Sequence, residues 1–272
     1  MKTILLTGST DGIGLETAKI LVSQGHTLLL HGRNAAKLAG VVQLLSAIPG
    51  AGRVESYVAD LSVMSDVAAL AKIVIEKHAS LDVLINNAGI LRSVETRTKD
   101  GLDVRFSVNT IAPYLLTRRL LPLLGVSGRV INLSSAAQAP VDLKALAGRG
   151  ALEDMEAYAQ SKLAITMWTR EMAHDLAEGP IVVAVNPGSY LASKMVKEGF
   201  GMVGNDLGIG ADILTRAALS DEFAKASGQY FDNDAGRFAP PHPDGLDRLK
   251  SARVVQEIEA VLAKIAQHPD LH

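Results

Sequence analysis

TILLTGSTDGIG, residues 3–14, carries a short apolar run straight into a glycine-rich turn, and LETAKILVSQG (15–25) continues from it with helical spacing of its apolar residues. Strand, turn and helix therefore follow one another without a linker. The turn holds Gly8, Gly12 and Gly14. Glycine supplies positive φ and lets backbone N–H groups come close to a phosphate, and the helix start adds a partial positive charge. The spacing is G-x-x-x-G-x-G rather than G-x-G-x-x-G. Its place between a first strand and a first helix still points to nucleotide phosphates at the head of an α/β sheet.

The rest of the chain keeps that rhythm. TLLLH (27–31), RVESYV (53–58), DVLIN (82–86), RVINLS (129–134) and IVVAVN (181–186) read as further strands, and GQYFD (228–232) as a seventh. Helical periodicity fills 13–23, 35–46, 65–78, about 103–124 and about 155–177. Strands apolar throughout and separated by helices predict a single-domain, doubly wound parallel sheet of about seven strands, Rossmann-type, over 1–272. Two stretches break the rhythm after strand ends: 136–157, and about 189–210, rich in Gly and Met. Ligands bind at such ends, and 189–210 suits a cover over an apolar substrate.

The second strand selects the cofactor. An acid at its end would bind the 2′-hydroxyl of NAD; here Gly32 occupies that place, followed by Arg33 and Asn34. A guanidinium matches a 2′-phosphate, favouring NADP(H) over NAD(H). Asp11, a carboxylate in the glycine turn, argues the other way.

YAQSK (158–162) puts a phenol, Tyr158, and an ammonium, Lys162, one helical turn apart. With the rest of the chain around it, this pair resembles the Tyr-x-x-x-Lys of the short-chain dehydrogenase/reductase family. TGSTDGIG (7–14) is similar to the family's cofactor turn, VADLS (58–62) supplies its Asp60–Leu61 pair, and NNAG (86–89) its fourth-strand motif. Asn109 in SVNTIAP, Ser135 in LSS (133–135) and Pro187–Gly188 in NPG follow in the family's order. Val108–Thr117 and the long interval 136–157 before Tyr158 are similar to the retinol-dehydrogenase-like branch.

The resemblance implies hydride transfer between a nicotinamide and a carbonyl or alcohol. Tyr158 would be the general acid/base, Lys162 its tuner and Ser135 the orienter of the substrate oxygen. Asn109 would hold a water that links Lys162 to solvent. Cofactor contacts would come from Gly8, Ser9, Asp11, Gly12, Ile13, Gly14, Arg33, Asn34, Asp60, Leu61, Asn87, Ala88, Gly89, Tyr158, Lys162, Pro187 and Gly188. Free tyrosine is a poor base near neutrality, and a neighbouring ammonium favours its phenolate. The family's threonine after Pro-Gly has no match; Ser189 and Ser193 stand nearby. A dinucleotide-binding regulator without turnover and a C=C reductase on the same scaffold are the alternatives.

Composition bounds the rest. Of 272 residues 48% are hydrophobic and only 4% aromatic, net charge is −2 and cysteine is absent. Nucleic acid and anionic membrane are not suggested as partners, and thiolate or disulfide chemistry is excluded. No stretch nears the roughly 20 apolar residues of a membrane span, and the three-residue run Ile4–Leu6 is too short for a signal peptide. The expectation is a soluble, cytoplasmic protein acting on a small, apolar carbonyl or alcohol. His268 and His272 have ligand-like spacing but no neighbouring cluster, so no metal is expected. Glu153, Asp154 and Glu156 read as the solvated acidic start of the Tyr158 helix, and Met167 and Trp168 as packing or subunit contacts. The resemblance implies pairing through 103–124 and 155–177 into a homodimer or homotetramer.

Overall fold

The computed structural model describes residues 1–192 and 204–267. The apolar runs form parallel strands β1 (Thr3–Leu6), β2 (Thr27–Gly32), β3 (Val54–Val58), β4 (Val83–Asn86), β5 (Arg129–Leu133), β6 (Ile181–Asn186) and β7 (Tyr230–Asp232). An eighth strand, β8 (Arg237–Phe238), pairs antiparallel with β7 at the edge, so the expected seven strands become eight. Two residues carry no periodic signal; Phe238 holds the strand there by packing on Phe223 and Phe231. The sheet order is β3-β2-β1-β4-β5-β6-β7-β8.

Successive strand residues face opposite sides, and each side has its own core. Leu5, Leu29, Leu84, Val130 and Val182 face one side; Ile4, Leu6, Leu28, Leu30, Ile85 and Val183 face the other. Helices α1 (Gly12–Ser23) and α2 (Ala35–Ser46) cover the second face. The first is covered by α3 (Met64–Lys77), α4 (Val104–Phe106), α5 (Ala112–Leu124) and α7 (Asp154–Asp175). A one-turn helix, α6 (Leu143–Leu146), interrupts the long β5–α7 connection.

Between α4 and α5, residues Ser107–Ile111 form a π turn, so the helix expected over 103–124 is broken at Asn109. Two further helices follow: α8 (Leu207–Leu219), beside α1, and α9 (Arg248–Gln267), on the outer side of α7. The expected cover at 189–210 is therefore only partly a loop. Its residues 207–210 open α8, where Gly210 lies against Ile13, and 193–203 lie outside the described residues. The chain order reverses between β1 and β4. This opens a crevice at their carboxyl ends, where the glycine turn and the ends of β4, β5 and β6 converge.

Candidate active site

The crevice is built first from backbone geometry. Gly8 and Gly12 have φ of +65° and +52°, values that L side chains rarely adopt. At Gly14 an added Cβ would meet the Gly8 carbonyl oxygen at 2.2 Å and Asn87 Nδ2 at 2.5 Å. Asn87 reaches that position because its amide donates to the carbonyls of Thr7 at 2.9 Å and Gly8 at 3.0 Å. Thr7 Oγ1 in turn accepts the backbone N–H of Asn87 and of Ala88, each at 3.1 Å. Thus Asn87 and Ala88 sit under the turn as its brace, and Gly89 lies exposed beyond them. Ser9 is buried, and its hydroxyl donates to the His31 carbonyl at 3.1 Å. Asp11 caps α1, accepting the Gly12 N–H at 2.8 Å.

At the end of β2, Arg33 and Asn34 are exposed. Asn34 is spent as the cap of α2, accepting the Lys37 N–H at 2.9 Å. That cap brings Lys37 to the glycine turn, where its ammonium pairs with Asp11 at 2.7 Å. The carboxylate that argued against a 2′-phosphate is thus compensated by a cation sequence reasoning missed. The Asn34 cap, three residues before Lys37, was the available signal. Gly32 has its own cause: a Cβ there would sit 2.7 Å from Thr10 Cγ2. Asp60 makes a local turn, accepting the Ser62 N–H at 2.9 Å, and Leu61 is buried.

The α7 residues converge from the other wall. Lys162 is 4% exposed, and its Nζ donates to the Leu133 carbonyl at 2.7 Å and lies 5.6 Å from the Tyr158 ring centre. Burial pulls the lysine pKa down to about 8. Desolvation raises the Tyr158 pKa above its ordinary value, and the nearby Ser135 side chain acts the other way. The Lys162 proton is directed at the Leu133 carbonyl. Ser134 is committed elsewhere: it is buried, bonded to the Lys162 carbonyl at 2.9 Å and to Thr166 Oγ1 at 2.7 Å. Ser135 is held by its backbone, whose carbonyl accepts from Tyr230 Oη at 3.0 Å and Gln138 Nε2 at 2.9 Å. Tyr230 and Gln138 carry no motif and were not foreseen.

Asn109 lies in the π turn between α4 and α5. Its amide takes the Ile90 N–H at 2.8 Å and donates to the Ile90 carbonyl at 2.9 Å and Ser161 Oγ at 3.0 Å. It ties the loop after β4 to α7. Pro187 is buried and Gly188 has φ of +122°. Ser189 is bound to Asp234, through its N–H at 2.8 Å and its hydroxyl at 2.6 Å. Ser193, His268 and His272 lie outside the described residues.

Nor is Asp154 a merely solvated charge. It pairs at 2.9 Å with Arg105, which is 1% exposed and also bound to Asp103 at 2.8 Å. Arg97 reaches the carbonyls of Gly148 and Gly150, so the long β5–α7 connection is anchored from the opposite side of the crevice. Trp168 is fully buried against Tyr114, their ring centres 5.5 Å apart. Among the described residues there is no group of three or more His, Cys, Asp or Glu side chains able to hold a metal, and no helix long and apolar enough to cross a membrane.

Comparison with known proteins gives the same picture. Residues 2–202 match the model of the short chain dehydrogenase family. Mouse retinol dehydrogenase 13 is 30% identical over 98% of this chain and 85% of its own length. A solved structure of an uncharacterised protein from Mycobacterium paratuberculosis is 27% identical, with a TM-score of 0.79 over 96% of this chain and 93% of that one. Pseudomonas aeruginosa RhlG, solved as an active-site complex with NADP, is 26% identical, with a TM-score of 0.69 over 86% of this chain and 95% of that one. The chain belongs to the short-chain dehydrogenase/reductase family of oxidoreductases, in its retinol-dehydrogenase-like branch.

Proposed function

We propose that this protein is an NADP(H)-dependent oxidoreductase that interconverts a carbonyl and an alcohol, with Tyr158 as general acid/base. The observation that carries the proposal is Tyr158 one turn of α7 from a buried Lys162, whose Nζ lies 5.6 Å from the phenol ring centre. The residues fit a dinucleotide: a glycine turn heads a full-length helix at the sheet's switch point, and Arg33 with Lys37 lies beside it. When bound, the cofactor supplies a hydride to the carbonyl carbon or accepts it from the alcohol.

The chain's own residues handle the oxygen. Ser135 donates a hydrogen bond to it and sets its distance from Tyr158. In reduction, Tyr158 passes its proton to the oxygen; in oxidation it takes that proton back. Lys162 then offsets the phenolate charge left behind. Preference for NADP(H) is supported by Lys37, which neutralises Asp11, by Thr10, which leaves no room for an acid at position 32, and by the NADP complex of the RhlG relative. An apolar alcohol or ketone as substrate is supported by the name of the mouse relative.

The test is turnover of a panel of apolar aldehydes and ketones, followed by NADPH oxidation. Tyr158→Phe is expected to lower kcat by about 10² to 10⁴-fold, with NADPH affinity unchanged within about twofold. Wild-type activity in that variant overturns the assignment of Tyr158.

A further inference from the structure

His31 belongs to no motif, yet it touches both backbone segments that flank the adenosine end of the crevice. It lies in β2 and is 3% exposed. Its Nδ1 is 3.3 Å from the Gly8 nitrogen, and its Nε2 is 3.1 Å from the Ala59 carbonyl oxygen. A backbone N–H can only donate and a carbonyl can only accept. Both contacts are satisfied together by one form of the ring: neutral, with the proton on Nε2 and the lone pair on Nδ1. The residue's own carbonyl takes the Ser9 N–H at 3.0 Å and the Ser9 hydroxyl at 3.1 Å. One residue therefore ties the glycine turn to the segment that begins Asp60–Leu61.

Protonation breaks that arrangement. An imidazolium carries N–H on both nitrogens, so Nδ1–H would face Gly8 N–H, donor against donor. The turn has nowhere to relax toward β4, since the Gly8 α-carbon already crowds Ala88: a Cβ there would come within 2.8 Å of the Ala88 Cα. Burial holds the His31 pKa below its ordinary value, while the bond to Ala59 and the charge of Asp60 act the other way. Among the described residues, Asp60 is the charged group whose field reaches the ring. Asp11 in the turn and Lys37 on α2 are paired with each other on the solvent side.

We propose that His31 is a positioning residue for the dinucleotide: neutral, it holds the glycine turn in its phosphate-binding shape, and protonated, it releases the turn and weakens cofactor binding. The inference rests on the dinucleotide reading of the site. It is tested by fluorescence titration of NADPH onto the intact protein between pH 7.5 and 5.5, for wild type, His31→Asn and His31→Gln. Asparagine offers Gly8 an acceptor at the Nδ1 position but cannot be protonated. Glutamine keeps a donor at the Nε2 position and loses that acceptor. The 2′-phosphate of NADPH titrates in this range too, but its contribution cancels in the ratio of wild-type to variant Kd.

His31→Asn is expected to bind within about threefold of wild type at pH 7.5, and His31→Gln about tenfold more weakly at every pH, the loss of roughly one hydrogen bond. The wild-type to His31→Asn Kd ratio is expected to rise on going to pH 5.5, by less than the about tenfold that an unshifted imidazole would give, because burial lowers the His31 pKa. A ratio flat with pH overturns the role of His31 and leaves the dinucleotide reading standing. A wild type that binds neither NADPH nor NADH at pH 7.5 overturns both. If neither variant folds, the wild-type Gly8 amide shift decides the question: a titration that follows His31 protonation supports the role, and an invariant amide overturns it.

Discussion

At the scale of single residues, the two ends of the crevice make separable predictions. Arg33 is exposed, and Lys37 pairs with Asp11 at a half-exposed position, so neither cation is buried. Replacing either with alanine is expected to weaken NADPH about tenfold, near 1.4 kcal/mol, while leaving NADH within about twofold; parallel titrations of the two cofactors measure it. Equal losses for both would remove the 2′-phosphate role. Lys162 makes a prediction about stability. Its folded pKa, about 8, lies below the unfolded value of 10.5, so between these the unfolded chain binds the extra proton and stability rises with pH. Against Lys162→Met, which cannot titrate, wild type is expected to gain about 2 kcal/mol between pH 7.5 and 9.5 by urea unfolding, from a shift worth about 1.4 kcal/mol per pKa unit. A constant gap would mean the lysine is solvated.

At the scale of elements, the strands and the helices carrying motifs were legible because period and spacing are local properties. TILLT and RVINLS could be nothing but buried strands, and Tyr158 and Lys162 share a face of any helix drawn through them. The π turn at Asn109 was not legible, since an i to i+5 bond leaves no mark on apolar period over so few residues. His31, Lys37 and Tyr230 act only through partners distant in sequence, such as Ala59, Asp11 and Ser135. The same holds for Arg105, which joins α4 to the first residue of α7. Arg105→Ala would leave Asp103 buried without its cation, and the expected loss is about 3 kcal/mol or more by urea unfolding. Lys19→Ala breaks an exposed pair on α1 and is expected to cost under about 0.5 kcal/mol. Similar losses in the two would refute the buried network.

At the scale of the whole molecule, the outer face of α7 is occupied. Val254, Ile258 and Val261 of α9 join the core that contains Trp168 and Tyr114, and Glu259 accepts from the Tyr114 hydroxyl at 2.5 Å and from Arg118 at 2.8 Å. Pairing of two copies through that face would require α9 to leave and its buried apolar side chains to meet water. The chain is therefore expected to run as a monomer near 28.7 kDa in light scattering after size exclusion, and a stable dimer would show that a different surface pairs. α9 was missed for a simple reason. It lies beyond every motif, so nothing but its apolar stripe announced it, and a stripe does not name the helix it will cover.

The contact between Gly32 and Thr10 also constrains how this family member could change in descent. An aspartate at position 32, the simplest step toward NAD, would bring its Cβ to 2.7 Å from the Thr10 methyl, so the threonine would have to shift. Thr10→Ser removes that methyl and keeps the hydroxyl. A lineage exchanging one dinucleotide for the other therefore meets a threshold at position 10 before it meets one at position 32, and the order in which the two changes arrive decides how much stability, on the order of 1–3 kcal/mol, is given up on the way.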